Sequence, residues 1–441
     1  MDKKEFIQKQ KSDLERSIWT PEMFARYSFE LSPDVPVFTA EQKAEIQWIN
    51  HIIFSASGGY LHGSLKMYKD LKDSEKLRND PTGRNIWKAL NNGISKHELA
   101  IQGQFNQLPI FARCDLMSVL STGKHSPLFQ IAEVEGDKTH GMGYYDGFIH
   151  KNSLDITGDI NGQTFSEAVK MCVGDEVVVL LVGDKELFYL PEMKSLLLPE
   201  AISQGLNLVV ATEDQLELTQ DEEMPIEAGG VKARWMVNIP ELNPDGLLVK
   251  PEVGKNLYNL YADGSISCLI PPNRFLGNKA LMGIVSNGLN DPKLDRWIEG
   301  YFKWELGPMR HFFPITIMVT KENVAQVIEI LQSQPGDWVI KKTVSSGAKG
   351  VSLGDDTAQR TRMMAELSAA PFNYIMQKKV EQSTRSFWHA DPTTMDLLYS
   401  PMYTRTELYT QFGDPLTVGV TARASKAVHV QHDAIQIPVK Y

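Results

Sequence analysis

The chain has 441 residues, 42% of them hydrophobic and 23% charged, which is the composition of an ordinary folded protein of two or three domains. A formal net charge of −10 argues against general binding to nucleic acid or to anionic membrane surfaces. The three cysteines, Cys114, Cys172 and Cys268, are far apart, have no metal-type spacing and leave at least one thiol unpaired, so reduced thiols in a cytoplasmic protein are expected.

The opening stretch "MDKKEFIQKQKSDLERS" is polar and charged, unlike a signal peptide, and the apolar run "EVVVLLVG" is far too short to span a bilayer. "TAEQKAEIQWINHIIF" begins with a Thr39-x-x-Gln42 capping box and keeps Ile46, Ile49 and Ile53 at helical spacing, which predicts a helix. Gly58, Gly59 and Gly63 in "SGGYLHGS" are expected to separate helical segments. "NIWKALNNGISKHELAIQGQF" continues the helical pattern. From about residue 108 the texture becomes strand-like, in "LPIFARCDLMSVL" and then "PLFQIAEVEGD".

Residues 173–275 alternate strand and helix. "DEVVVLLVG" predicts a buried strand, "PEMKSLLLPEAISQG" a helix ending at Gly205, and "LNLVVAT" the next strand; "GVKARWMVNI" and "DGLLVK" continue the unit, so a mainly parallel sheet follows. Next come the helix "KENVAQVIEILQSQ", with Val324, Val327, Ile328 and Leu331 inward, the strand "DWVIKK", the short strand "VSLG", the helix "TAQRTRMMAELSAA" and the strand "FNYIMQKKV".

In "GDWVIKKTVSSGAKGVSLG" a strand ends in a lysine, and a loop of small residues leads into a second strand. A lysine there presents a fixed positive charge, and a Ser/Gly loop lets backbone N–H groups approach phosphate oxygens. The loop leads into a strand, so it is neither a dinucleotide fingerprint nor a Walker loop, both of which open a helix. A surface hairpin with a mobile turn is the plain alternative.

The arrangement resembles the ATP-grasp superfamily, where a strand lysine and a small-residue flap hold the phosphates and a later hinge receives adenine. The resemblance implies that Lys341 and the flap Ser345, Ser346, Gly347, Ala348, Lys349 and Gly350 bind phosphate. It also implies that Gln377, Lys378, Lys379 and Val380 line adenine in "YIMQKKVEQ", with Glu381 near the ribose. "PPNRFLGNKALMGIV" is similar to the family's entry segment, which makes Lys279 the second phosphate lysine; "HFFPITIMV" follows like the family's proline-containing strand.

ATP chemistry calls for carboxylates to hold magnesium. Arg113 and Asp115 alternate onto one face of their strand, and Glu133 and Glu135 share a face of the next. Like charges on apolar strands are costly unless a cation lies between them, although a solvated edge hairpin would show the same alternation. Because these strands precede the lysines, the chain resembles circularly permuted ATP-grasp enzymes of the glutathionylspermidine synthase type. That resemblance implies Mg2+ on Asp115, Glu133 and Glu135, with Glu135 standing where those enzymes carry Asn. It further implies Arg113 near the transferred phosphate or the substrate carboxylate, and Asp137 and Thr139 near substrate. Arg405, Arg423 and Arg385 are candidates for the γ-phosphate arginine, while His429 and Asp433 read as structural.

The resemblance covers residues from about 108 onward. It implies an α/β (α+β) ATP-grasp fold in permuted order, with four regions: a helical 1–107, a metal-binding part of the core at 108–172, a parallel α/β substrate-side domain at 173–275, and the nucleotide-binding lobe with core strands at 276–441. The expected activity is an ADP-forming ligase that joins a small-molecule carboxylate to an amine through an acyl phosphate, with ATP and Mg2+ and with no nucleic-acid or membrane partner. Homo-oligomerisation stays open. An ATP-dependent phosphotransferase and a nucleotide-binding protein without turnover are the alternatives.

Overall fold

The computed structural model describes residues 4–5, 7–9, 12, 30–32, 38–120, 126–137, 142, 146–147, 164–241, 250–345, 350–353, 357–390, 394, 396–411, 413, 418–423 and 435–438. The expected helix is Ala40–Phe54, and Thr39 and Gln42 exchange the two hydrogen bonds of a capping box. Gly58, at φ 123°, and the N-cap Gly59 precede the helix Tyr60–Asp73. Gly63 does not separate segments. It lies inside that helix, where a Cβ would come within 2.5 Å of the Phe302 ring, so its role is close packing. The stretch 81–101 is two helices, Pro81–Asn91 and Lys96–Ile101; Gly93 turns at φ 76°, and Ser95 with Glu98 starts the second with its own capping box.

Strands are numbered along the chain. β1 (Glu30–Leu31), β2 (Phe111–Ser118) and β3 (Phe129–Glu135) come first. β4 (Val178–Val182) and β5 (Leu208–Thr212) follow; β6 (Leu216–Leu218), β7 (Ile226–Ala228) and β8 (Val231–Ala233) make a small antiparallel sheet. β9 (Trp235–Asn238) and β10 (Ser267–Ile270) join β4 and β5 in the parallel order β10-β9-β4-β5, as the strand–helix alternation requires. Residues 231–233 of the "GVKARWMVNI" segment belong instead to the small sheet, and most of "DGLLVK" lies outside the described residues.

β11 (Thr316–Met318), β12 (Trp338–Lys342), β13 (Val351–Leu353) and β14 (Tyr374–Lys378) form an antiparallel sheet ordered β11-β14-β12-β13. One face, with Ile317, Trp338, Ile340, Tyr374 and Met376, packs on the helices Val324–Ser333 and Thr357–Ala369. Val327 and Leu331 are buried there, while Val324 and Ile328 are only half-buried. The other face carries Val339, Lys341, Ile375 and Gln377, because side chains alternate.

β15 (Thr384–Ala390), β16 (Leu397–Gln411), β17 (Val418–Arg423) and β18 (Ile435–Pro438) complete the central sheet, β1-β18-β17-β16-β2-β3, with β15 also on β16. Its inner face carries Ala112, Cys114, Leu116 and Leu408, which share one hydrophobic core with Ile46, Ile49 and Ile53 of the amino-terminal helices. Those helices are therefore the backing of the central sheet. Among the described residues no helix is long and apolar enough to cross a membrane.

Candidate active site

The opposite face of the central sheet carries charge. Across β3, β2 and β16, Glu133 pairs with Asp115 and Asp115 pairs with Glu407, so three carboxylates stand in one lateral row. The next row is Glu135, Arg113 and Tyr409. Arg405 pairs with Met117 on one side and Thr421 on the other, and Arg423 faces the same way beside Tyr403.

The placement of Glu133 depends on a β-bulge. Strict alternation from Phe129 and Ile131 would send Glu133 into the core. Leu116 pairs with Ile131 and Asp115 with Glu133, so Ala132 is the extra residue and the alternation restarts after it. Val134 then packs inward, and Glu133 and Glu135 face the cleft. The carbonyl of Ala132 accepts a hydrogen bond from Lys341 Nζ at 3.0 Å, which brings the β11-β14-β12-β13 sheet against the acidic strand.

Each carboxylate is engaged by a cation of the protein. Lys279 Nζ lies 2.5 Å from Glu133 Oε1 and also donates to the Ser345 carbonyl at 2.9 Å. Its own backbone N–H is held by the Thr343 carbonyl at the end of β12. Arg113 reaches Asp115 at 3.1 Å and Glu135 at 2.8 Å, and Arg405 reaches Asp115 at 3.3 Å and Glu407 at 2.6 Å. Burial alone would lower the pKa of Arg113, but Asp115 and Glu135 outweigh it and push it well up. Lys341 is the opposite case: burial outweighs the attraction of Glu133, and its pKa falls from 10.5 to about 8.

Among the described residues no group of three or more His, Cys, Asp or Glu side chains converges as an ion-holding set, because arginine and lysine occupy the positions between the carboxylates. The donor chemistry nevertheless suits a hard divalent cation. The row is all carboxylate oxygen, and Glu407, only 1% exposed, has an Oε2 without a hydrogen-bond partner.

The expected nucleotide contacts fall in two groups. Ser345 and Gly350 sit at the base of the flap; Lys342 N–H donates to the Gly350 carbonyl, and a Cβ at Gly350 would meet Ser345 Oγ at 2.6 Å. Ser346, Gly347, Ala348 and Lys349 lie outside the described residues, as do Thr139, His429 and Asp433. At the hinge, Gln377 is buried on the cleft face and donates to Thr316 Oγ1. Lys378 points to the other face, with its ammonium 2.7 Å from Asp337 and over the Trp338 ring, so its side chain is not brought to the cleft. Lys379 N–H donates to the Asp337 carbonyl, Val380 is half-buried, and the exposed Glu381 accepts Leu120 N–H through its carbonyl. Arg385 pairs with Met402, on the opposite sheet face from Arg405, and lies over the Phe387 ring.

Two charged residues are additions to the expected set. Glu407 was signalled by Arg405-x-Glu407, the same pattern as Arg113-x-Asp115 on the neighbouring strand. Arg274, 7% exposed, stands in the entry segment and bonds to Glu98 at 3.3 Å, the Tyr258 hydroxyl at 2.9 Å and the Asp137 carbonyl at 3.1 Å. Asp137, Arg274 and Glu98 line a cleft that continues past Glu133 and Glu135 to Ser345.

The two sheets facing each other across this charged cleft define an ATP-grasp-type α/β fold. The whole chain superimposes on 97% of a glutathione synthetase-like effector from Globodera pallida in its apo form, with TM-score 0.56 and 13% identity, a likeness of fold. A putative gamma-glutamylcysteine synthetase from Methylobacillus flagellatus matches 80% of this chain and 84% of its own, with TM-score 0.39 and 12% identity. A D-alanyl-alanine synthetase A from Vibrio cholerae matches 55% of this chain and 87% of its own, with TM-score 0.27 and 10% identity. No protein-family model and no curated protein matches the sequence.

Proposed function

We propose that the protein is an ATP-dependent ligase that joins a small-molecule carboxylate to an amine through an acyl phosphate, releasing ADP and phosphate in the cytoplasm. The observation that carries this reading is the meeting of the two lysines with the acidic strand: Lys279 Nζ on Glu133 and Lys341 Nζ on the Ala132 carbonyl. Phosphoryl transfer needs that juxtaposition, with cations for the phosphates beside carboxylates for a metal. The burial of Asp115, Glu135 and Glu407, with Glu133 half-buried beside them, favours it over a solvated hairpin.

In this reading Lys279 and Lys341 offset phosphate charge, and the flap from Ser345 to Gly350 closes over the nucleotide and keeps water from the acyl phosphate. Arg113, Arg405 and Arg423 stabilise the charge on the transferring group. Gln377, Lys379, Val380 and Glu381 border the adenine and ribose. Mg2+, held by Asp115, Glu133 and Glu135, would supply neutralisation and polarisation of the phosphates. The order of the chain, acidic strands before lysine strands and closing strands last, supports the circularly permuted arrangement and the four regions bounded at 107, 172 and 275.

The test is calorimetric binding of a non-hydrolysable ATP analogue with Mg2+, followed by ADP-release assays over pools of carboxylates and amines. Magnesium-dependent binding that Lys341→Ala and Glu133→Ala both weaken is the expected result. A folded native protein that binds no nucleotide would sink the proposal.

A further inference from the structure

Strands β2 and β16 carry the same pattern in opposite directions. Arg113-x-Asp115 runs one way and Arg405-x-Glu407 the other, and the register sets Asp115 against Glu407 with an arginine to either side. With Glu133 on β3 this makes a row of three carboxylates on three adjacent strands, spaced about 4.8 Å apart by sheet geometry. Directly opposed like charges are destabilising, and burying them adds a desolvation cost. Arg405 and Thr421 all engage one oxygen of Glu407, Oε1, at 2.6 to 2.9 Å. Oε2 is left buried with no hydrogen-bond partner, the situation in which a carboxylate oxygen gains most from a cation. Asp115 differs, since both of its oxygens already hold arginines. Glu135 is likewise paired with Arg113.

We propose that Glu407 is a divalent-cation ligand acting through Oε2, with Glu133 in the same carboxylate row as its protein partner, while Asp115 and Glu135 serve to hold Arg113 and Arg405. The inference rests on the ATP-dependent reading of the same site. It assigns to the metal a strand that the permuted-enzyme resemblance did not, and it explains how the site accommodates a Glu at 135: that carboxylate is neutralised by Arg113.

The test is Mn2+ binding to the full chain with a non-hydrolysable ATP analogue, read by calorimetry and by the electron paramagnetic resonance spectrum of bound Mn2+. Glu407→Gln keeps the shape but loses the charge, and it is expected to weaken Mn2+ roughly tenfold or more and to change the spectrum. Glu407→Asp keeps the charge but withdraws the carboxylate, so it too should weaken Mn2+. It keeps the inference testable if the Gln variant does not fold. A residue that only braces Arg405 would lower thermal stability and leave Mn2+ affinity and spectrum as in the native protein. That result, with Glu133→Gln still weakening Mn2+, overturns the assignment of Glu407 and leaves the ligase reading standing. Failure of the native protein to bind Mn2+ with the analogue overturns both.

Discussion

Lys341 should take up a proton when nucleotide binds. Its pKa is lowered from 10.5 to about 8 by burial, so the free protein carries it about half neutral at pH 8 and about nine-tenths neutral at pH 9. Bound phosphates favour the ammonium and return its pKa toward the ordinary value. Uptake should therefore be about half a proton per nucleotide at pH 8 and close to one at pH 9. Calorimetric titration with a non-hydrolysable ATP analogue, in buffers of different protonation enthalpy, gives that number as a slope. Lys341→Met, which carries no titratable group, should remove the slope along with most of the affinity. No uptake by the native protein at pH 8 to 9, or an unchanged slope in Lys341→Met, would refute the placement of this ammonium against phosphate. The same shift has a stability signature of defined sign. Below pH 8 the folded and unfolded chains both hold the proton. Between 8 and 10.5 the unfolded chain holds more, so stability rises with pH across that window, by at most about 3 kcal/mol since Lys341 keeps some solvent exposure. Denaturant unfolding of Lys341→Met should lack that rise.

Arg274→Met leaves Glu98, which is fully buried, without its guanidinium and should cost about 3 to 5 kcal/mol in denaturant unfolding. A loss under 1 kcal/mol would mean that Tyr258 and Ser95 satisfy Glu98 unaided. Gly63→Ala drives a methyl into the Phe302 ring and should cost about 1 to 3 kcal/mol, because that ring is itself fully enclosed; a neutral thermal melt would show that the helix Tyr60–Asp73 can move freely away from the helix Pro292–Phe302 there.

Local chemistry made much of the architecture legible. Thr39 and Gln42 mark a helix start, the uninterrupted apolar run at 178–182 marks a parallel strand, and "DWVIKK" before a small-residue loop marks the strand Trp338–Lys342. What failed to show was set by packing. Gly63 resembles a breaker until Phe302, far along the chain, is placed against it. Gly93 and Ser95 divide a stretch whose apolar period runs on without interruption. The bulge at Ala132 is invisible in "QIAEVEGD", where simple alternation also puts Glu133 and Glu135 on one face, but the same face as Ile131. Glu407 is hard to single out in the sequence because its significance lies in its partner strand: an Arg-x-Glu step is commonplace until register sets it against Asp115.

The joining of β2 to β16 has a consequence for biosynthesis. Thr410 bonds to the carbonyl of Ala112 across 298 residues of chain, so the acidic hairpin leaves the ribosome long before the strand that closes it. Contacts of such sequence separation form late, since the loop must be closed before they give any return, and until then β2 presents an open edge to other chains. The parallel α/β unit and the antiparallel lobe contain their own neighbours and can fold as they emerge. The antiparallel lobe, whose last strand β14 precedes β16 in the chain, can therefore close before β16 has emerged, and until then it has no completed central sheet to face.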